Sequence, residues 1–243
     1  MKERIQKVIS KTGVFSRRAV EKLIDDKKIK INGVIVTTKG IKIDPAKDRI
    51  QIDGKAFKIN TEEEFVAILL NKPRQVMVTR NDPEERKCVF DLLPEEMAHL
   101  KPVGRLDYYT QGAIILTNDG EFIMHLTHPR YHLEKVYELK TTNDVTDKQI
   151  NRLRKGIVLD GVRTLPSQIR VMRRNKSSTI LEFVLVEGKN RQIRRMCQTV
   201  GISVKELKRV SIGPVELRGL KSGGFRRLTL KELRLLRTAI TSA

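Results

Sequence analysis

The residue best suited to covalent chemistry in this 243-residue chain is Asp107, a carboxylate in a glycine-bounded loop. Gly104 and Gly112 lie on either side of it, and glycine permits the tight or left-handed backbone of a sharp loop. The apolar run 113–116 then predicts a buried strand, which ends in the turn-forming segment 118–120. A carboxylate on such a loop could serve as a nucleophile. Capping of a turn is the structural alternative for Asp107.

A second candidate segment is 134–139, whose alternating pattern predicts a strand with Lys135 and Tyr137 on one face. An aromatic ring with a polar tip can stack on a nucleic-acid base, an interaction worth about 1–3 kcal/mol. A half-buried tyrosine packed on its strand neighbours is the alternative.

The third segment, 187–196, is a glycine-containing turn that follows the predicted strand 180–186 and opens a helix. It carries four cations, Lys189, Arg191, Arg194 and Arg195. Most such charge runs are solvated surface. Here Ile193 and Met196 supply an apolar side, so the cations cannot all point the same way.

Together and in this order, the three segments closely resemble the pseudouridine synthases, in the branch that modifies ribosomal RNA with a single aspartate. The resemblance implies isomerisation of uridine to pseudouridine within RNA, with no cofactor. It implies that Asp107 is the nucleophile and that Arg194 is its ion-pair partner, which would keep the carboxylate charged. It also implies that Arg105 enters the stack vacated by a flipped base and that Tyr137, beside Lys135, stacks on the uracil.

Some chemistry stays open at this stage. Asp107 could attack the ribose C1′ or the uracil C6, or assist a glycal route, and the sequence does not separate these. The role of Tyr109, which stands where the family commonly has a small polar residue, is also open. The order of segments is most like that of the family members that act on large-subunit ribosomal RNA.

Residues 1–59 are predicted to form a small domain of two helices and a hairpin. The first helix ends at Gly13, and Ser16 is a natural N-cap for the second. The Asn32-Gly33 dipeptide predicts a type I′ turn, and another strand follows at 50–52.

The pattern over 15–33 resembles the S4 RNA-binding domain, named after a ribosomal protein. A helix N-terminus with two guanidiniums offers backbone N–H groups and charge to phosphates. A solvated helix face is the alternative. The residues predicted to bind RNA across the whole chain are Ser16, Arg17, Arg18, Lys30, Arg191 and Arg195.

The predicted domain boundary lies at 60–64, where an acidic patch precedes the apolar run 65–70. From residue 60 to residue 243 apolar strands alternate with short helices, which predicts an α+β catalytic domain around a mixed, mainly antiparallel sheet. A closing helix is predicted after Thr229, with Glu232 completing a capping box and Leu230, Leu233 and Leu236 along one side.

The charge of the chain favours a polyanionic partner. Its formal net charge is +20 and its pI is about 10.1, divided as +9 over 1–59, −4 over 60–130 and +15 over 131–243. Nucleic acid is therefore the expected class of partner, and the resemblance to the pseudouridine synthases implies ribosomal RNA or a ribosomal precursor particle. A protein that is merely basic and soluble is the alternative.

Other features narrow the class. No apolar run is long enough to span a membrane and the N-terminus is not a secretory signal, so we expect a cytoplasmic protein. We also expect the protein to act as a monomer. Cys88 and Cys197 predict two reduced thiols rather than a disulfide. Three histidines cluster at 125–132 but without metal-site spacing, so we expect no metal.

Two further functional classes compete with the isomerase. A non-catalytic ribosome assembly factor would explain the charge equally well but has no use for Asp107. An RNA glycoside hydrolase using Asp107 and Asp119 needs two carboxylates about 5–10 Å apart. The turn at Asp119 lies at the far end of the predicted strand from Asp107, which disfavours the hydrolase. A synthase acting on small-subunit RNA is the alternative within the same family.

Overall fold

The chain forms two compact units, Met1–Phe65 and Val66–Ala243. Our computed structural model describes residues 2–59 and 64–241. Most of the predicted boundary segment, residues 60–63, therefore lies outside the described residues.

The first unit packs two helices against short strands. Its helices are α1 (Ile5–Lys11) and α2 (Arg17–Asp25). Its strands are β1 (Glu3–Arg4), β2 (Ile29–Ile31), β3 (Val34–Ile35), β4 (Lys42–Ile43), β5 (Ile50–Ile52) and β6 (Lys55–Phe57). The Ser16 side chain accepts a hydrogen bond from the Ala19 N–H at 3.1 Å, which confirms the predicted N-cap of α2.

Two hairpin turns of this unit have left-handed backbones, as type I′ hairpins require. Asn32 and Gly33 have φ angles of 50° and 86°, and Asp53 and Gly54 have 49° and 77°. These turns join the antiparallel sheet β3-β2-β5-β6. The predicted hairpin and the predicted strand at 50–52 are therefore confirmed.

The second unit is built around a mixed sheet whose strand order is β13-β14-β10-β15-β9-β7-β17. Its helices are α3 (Gly120–Thr127), α4 (Asp147–Arg154), α5 (Gln192–Thr199) and α6 (Leu230–Thr241). Its strands are β7 (Ala67–Lys72), β8 (Lys101–Pro102), β9 (Gln111–Thr117), β10 (Lys135–Thr141), β11 (Val158–Leu159), β12 (Val162–Arg163), β13 (Gln168–Asn175), β14 (Ser178–Leu185), β15 (Val204–Ile212), β16 (Val215–Glu216) and β17 (Phe225–Arg227).

The centre of this sheet brings distant parts of the chain together. Among the strands that the structure describes, β9 and β15 pair in parallel, and the other neighbours pair antiparallel. The predicted apolar run 113–116 lies within β9 and is fully buried. The mixed, mainly antiparallel sheet of the predicted α+β class is confirmed, and β9 places the Asp107 loop at its centre.

The closing helix α6 begins as predicted, and the three leucines predicted along one side of it are buried to different extents. The Thr229 N–H donates to Glu232 Oε2 at 2.8 Å, and the Glu232 N–H donates to Thr229 Oγ1 at 3.2 Å, which confirms the capping box. Leu236 is fully buried, whereas Leu230 is 74% exposed. Leu230 is the first residue of the helix, and the stripe that meets the core starts one turn later.

Two further features concern the cysteines and the apolar character of the helices. Cys88 and Cys197 are buried free thiols. In the ranges 2–59 and 64–241 no helix combines the length and the apolar character needed to cross a membrane.

Candidate active site

Asp107 lies in a tight turn between the core and strand β9. Leu106 is buried in an apolar cluster, while Asp107 itself is half-buried. The Thr110 N–H donates to the Asp107 carbonyl at 3.0 Å and closes the turn. Gly104 and Gly112 have φ angles of +74° and +106°, which confirms that both positions need glycine's freedom. The carboxylate is therefore held at the boundary between core and solvent.

The backbone carbonyls that follow Asp107 are also fixed by hydrogen bonds. The Tyr108 carbonyl accepts from the Gln75 N–H at 2.7 Å and from Lys72 Nζ at 3.5 Å. The Tyr109 carbonyl accepts from the Arg194 guanidinium at 3.2 Å. A turn held by two other segments, 72–75 and the start of α5, keeps its geometry before substrate arrives, which lowers the cost of reaching a reactive arrangement.

Lys72, at the end of β7, places a buried positive charge near Asp107. Its side chain is fully buried, and Nζ donates to the carbonyls of Pro73 at 2.8 Å and Val76 at 2.7 Å. Burial lowers the pKa of Lys72 to about 8, while the negative charge of Asp107 acts in the opposite direction. The sequence analysis did not identify Lys72, because the residue looked like the polar end of an apolar strand.

Arg194, in the first turn of α5, approaches the same loop from the other side. Burial is the main cause that lowers the pKa of its guanidinium, Arg191 adds to that effect, and Asp107 opposes it. The hydrogen bond that Arg194 makes is to the Tyr109 carbonyl. Its charge therefore acts on Asp107, while the direct ion pair between the two stays a prediction.

The other cations of this helix start differ in availability. Arg191 is exposed and holds the left-handed position before α5, with a φ of +47°. Arg195 forms an ion pair with Asp160 at 2.5 Å. Gln192 is buried, and its side chain accepts from the Lys189 N–H at 3.0 Å, so it fixes the preceding turn. Arg191 is thus the better placed of the two predicted RNA ligands here.

Tyr137 and Lys135 lie on the central strand β10, between β14 and β15. Tyr137 is half-buried and packs against the cluster that contains Leu106, the residue before Asp107. Lys135 Nζ donates to the Leu133 carbonyl at 2.8 Å. Burial, with a further contribution from the charge of Arg209, lowers the pKa of Lys135 to about 8. The structure therefore brings Tyr137 and the Asp107 turn to one core, and their roles stay predictions.

Arg209 on β15 is a second residue that the sequence analysis missed. It pairs with Tyr137 on one side and with Gly112 on the other, and its side chain is only 4% exposed. In the sequence it follows Lys208, and basic side chains ordinarily lie in solvent. A buried arginine at this place becomes visible only once the neighbouring strands are known.

Two remaining residues of the loop face outward. Arg105 is exposed, as a residue that reaches into RNA would need to be. Tyr109 is 43% exposed; its ring meets the edge of Tyr108 at 5.0 Å, and the Arg74 guanidinium lies 5.3 Å from its centroid. Tyr109 thus forms part of a surface that combines aromatic rings and positive charge.

The predicted RNA ligands of the first unit lie around the start of α2. Arg17 and Arg18 are exposed, and Lys30 on β2 is half-buried. Ser16 Oγ already accepts from the Ala19 N–H, so its hydroxyl has a structural role in capping the helix. The two arginines are therefore the stronger candidates for phosphate contact.

Asp119, the second carboxylate of the hydrolase alternative, caps helix α3. Its Oδ1 accepts from the N–H groups of Glu121 at 2.8 Å and Phe122 at 3.1 Å. That structural role accounts for Asp119 without catalysis.

Comparison with known proteins identifies both units. Residues 66–199 match the family model described as RNA pseudouridylate synthase, and residues 3–50 match the S4 domain. The chain is 40% identical over 237 residues to "Ribosomal large subunit pseudouridine synthase B" of Bacillus subtilis (strain 168), covering 97% of this chain and 96% of that protein. It is 39% identical to an RNA pseudouridine synthase of Aquifex aeolicus (strain VF5), covering 99% and 96%. A crystal structure of a pseudouridylate synthase superimposes with a TM-score of 0.70 at 28% identity, covering 96% of this chain and 99% of that one.

Proposed function

Because the chain belongs to the RNA pseudouridylate synthase family, we propose that it isomerises one uridine of large-subunit ribosomal RNA, with Asp107 as nucleophile. The observation that carries this proposal is the fixed turn at Asp107, flanked by the charges of Lys72 and Arg194. Lys72 and Arg194 place positive charge beside the Asp107 side chain, and a nucleophilic carboxylate has to be charged.

The choice of ribosomal RNA rests on the similarity to the Bacillus subtilis enzyme, whose name specifies the large subunit. The positive charge of both ends of the chain supports a large, structured polyanion. The S4 unit would hold this RNA through Arg17 and Arg18 at the start of α2. A monomer acting in the cytoplasm, where ribosomes are assembled, fits such a substrate.

The reaction breaks the bond between N1 and C1′, turns the uracil within the site and joins C5 to C1′, while C5 loses its hydrogen as a proton and N1 gains a proton. The target base must first leave its stack, at a cost of a few kcal/mol. The exposed Arg105 would fill the gap that the base leaves, since a planar cation can stack between bases. Tyr137 would hold the uracil by stacking while Asp107 attacks the ribose C1′ or the uracil C6, or assists a glycal route.

The proposal is tested by mapping pseudouridine in ribosomal RNA from cells with and without the gene. We expect one large-subunit site to disappear and to return when the purified protein is added to the unmodified RNA. Loss of a small-subunit site instead would reassign the substrate. A map unchanged by the deletion, together with no conversion by the purified protein, would contradict the assignment of ribosomal RNA.

The role of Asp107 is tested by Asp107→Asn, with Asp119→Asn as the matched control. Both changes remove one carboxylate charge, and asparagine caps a helix about as well as aspartate, so the control preserves α3. We expect Asp107→Asn to bind RNA normally and to form no pseudouridine, while Asp119→Asn stays active. Conversion by Asp107→Asn at the wild-type rate would favour a role in binding or assembly over catalysis.

A further inference from the structure

Arg209 is a buried charged residue that links the strand after the Asp107 loop to the strand that carries Tyr137. Its Nε donates a hydrogen bond to the Ala113 carbonyl at 2.6 Å, and its Nη1 donates to the Tyr137 hydroxyl at 3.4 Å. The guanidinium carbon lies 5.9 Å from the centroid of the Tyr137 ring. Since the residue is only 4% exposed, its charge is directed into the protein rather than toward the RNA backbone.

One donor of this guanidinium has no partner. In the described part of the chain, four buried side-chain polar atoms lack a hydrogen bond, namely Thr110 Oγ1, Arg194 Nε, Arg209 Nη2 and Gln6 Oε1. The first three belong to the Asp107 turn, to the helix that contacts it and to the strand beside Tyr137. Buried donors without partners are rare in native proteins and costly, most of all when they are charged. Their concentration around one site indicates a ligand that completes them.

A flipped uracil has the matching chemistry. Its two carbonyl oxygens accept hydrogen bonds, and both gain negative charge when the glycosidic bond breaks and the base holds the electron pair. A guanidinium that is already in place, in a site sheltered from water, stabilises such charge strongly. Lys135 on β10 donates one of its three N–H groups to the Leu133 carbonyl. Arg209 Nη2 is a buried donor without a partner on the strand beside the proposed stacking ring.

We propose that Arg209 is a substrate-binding residue: its Nη1 sets the orientation of Tyr137, and its Nη2 donates to a carbonyl oxygen of the everted pyrimidine. This inference rests on the proposed isomerase function and assigns a base-recognition role to a residue buried in the sheet. Gly112 lies opposite Arg209, where a Cβ would lie 2.1 Å from the Arg209 carbonyl oxygen. The close approach of the two strands lets the guanidinium reach both Ala113 and Tyr137.

The first test separates binding from chemistry in Arg209→Lys, using the full-length protein and an rRNA fragment that contains the mapped uridine. We expect the single-turnover rate to fall by about 100-fold, as for removal of a preorganised donor to developing charge. The RNA dissociation constant should stay within about twofold, since a buried side chain adds nothing to phosphate binding. A structural role alone would lower the melting temperature without this division between rate and affinity.

The second test changes the acceptor instead of the donor. RNA with 2-thiouridine or 4-thiouridine at the target replaces one carbonyl oxygen by sulfur, a weaker acceptor. We expect one of the two substitutions to slow the wild-type enzyme by about 10- to 100-fold, the loss associated with a hydrogen bond to a charged group. The same substitution should slow Arg209→Lys far less, because the two changes remove one interaction.

The outcomes distinguish this inference from the proposed function. A wild-type protein that converts no ribosomal uridine contradicts the function itself. A wild-type protein that is active but insensitive to both thio-substitutions overturns the role of Arg209 alone, and this arm requires no variant. Should Arg209→Lys fail to fold, Arg209→Gln replaces it, since a neutral amide leaves no buried charge and can still donate to the Ala113 carbonyl. Equal rates for the wild-type protein and the folded variant also overturn the inference.

Discussion

Replacing Gly112 by alanine tests how closely strands β9 and β15 must approach beneath the candidate site. The added Cβ would lie 2.1 Å from the Arg209 carbonyl oxygen and 2.8 Å from its nitrogen, both of them backbone atoms within the sheet. These atoms cannot swing aside as a flexible side chain would. Gly112 also has a φ of +106°, a conformation that L-residues rarely adopt.

The expected cost has two parts. A non-glycine residue at such a φ angle costs about 1–3 kcal/mol, and forcing extra volume into a packed interior costs about 1–3 kcal/mol more. The sum of about 2–6 kcal/mol is a large part of the stability of an ordinary domain. For a unit of this size it corresponds to a fall in melting temperature of about 4–24 °C.

The assay can follow the second unit alone. All four tyrosines lie in this unit, at 108, 109, 131 and 137, and the chain has no tryptophan. Thermal unfolding followed by tyrosine fluorescence therefore reports on the catalytic unit. Gly120→Ala is the matched control, because Gly120 lies in the first turn of α3 with open space around its Cβ position. At this position we expect alanine to leave the free energy of unfolding unchanged or to raise it by up to about 1 kcal/mol.

A melting temperature for Gly112→Ala within about 1 °C of wild type would refute this reasoning. It would mean that β9 and β15 separate at little cost. In that case the contact of Arg209 with both Ala113 and Tyr137 would not depend on the close approach of the two backbones. A fall that is equally large in Gly120→Ala would show that any added methyl group near this core is harmful.

Three more predictions follow from the charges and caps. Replacing Arg17 and Arg18 by alanine should weaken RNA binding and lower the slope of log K against log salt by about 1–2; a salt titration measures it, and a Lys221→Ala/Lys231→Ala protein, with the same loss of charge, is the control. Lys72→Met should lose stability relative to wild type as the pH rises from about 8 toward 10.5, because the unfolded wild-type chain still binds the proton of Lys72 while the folded chain has released it. The difference in free energy of unfolding between the two proteins should grow by about 2 kcal/mol between pH 8 and pH 9.5, as measured by urea unfolding followed by circular dichroism. A difference that does not change with pH would contradict the lowered pKa. Ser16→Ala should destabilise the first unit by about 0.5–2 kcal/mol and Ser16→Thr by much less, as measured by hydrogen exchange of the α2 amides; equal exchange in both variants would argue against the cap.

Local sequence signals predicted the local structure well. Ser16, the Asn32-Gly33 turn and the Thr229–Glu232 capping box each depend on neighbours within four residues, and all three are confirmed. Helical periodicity places Leu230 and Leu236 on one side but does not state where along the helix the core contact begins, so it did not predict that Leu230 is exposed. Local sequence patterns thus predict caps and turns, but they do not predict which residues of a helix contact the core.

The candidate site was predictable only in part. Asp107, Tyr137 and Arg194 were identified by motifs, and the structure brings their segments to one region of the second unit. Lys72 and Arg209 were missed because their burial depends on strands distant in sequence, which cover them from both sides. A lysine or arginine in a short strand ordinarily indicates solvent, and tertiary pairing reverses that expectation here.

The parallel pairing of β9 with β15 also sets a time order for synthesis. The partner of Gly112 lies roughly a hundred positions later in the chain, so about 5–20 seconds of translation separate the two at ordinary ribosomal speeds. The S4 unit, complete within the first 65 residues, emerges and can fold well before that. During synthesis the S4 unit can therefore fold first, and the catalytic unit can complete its sheet only after β15 has left the ribosome.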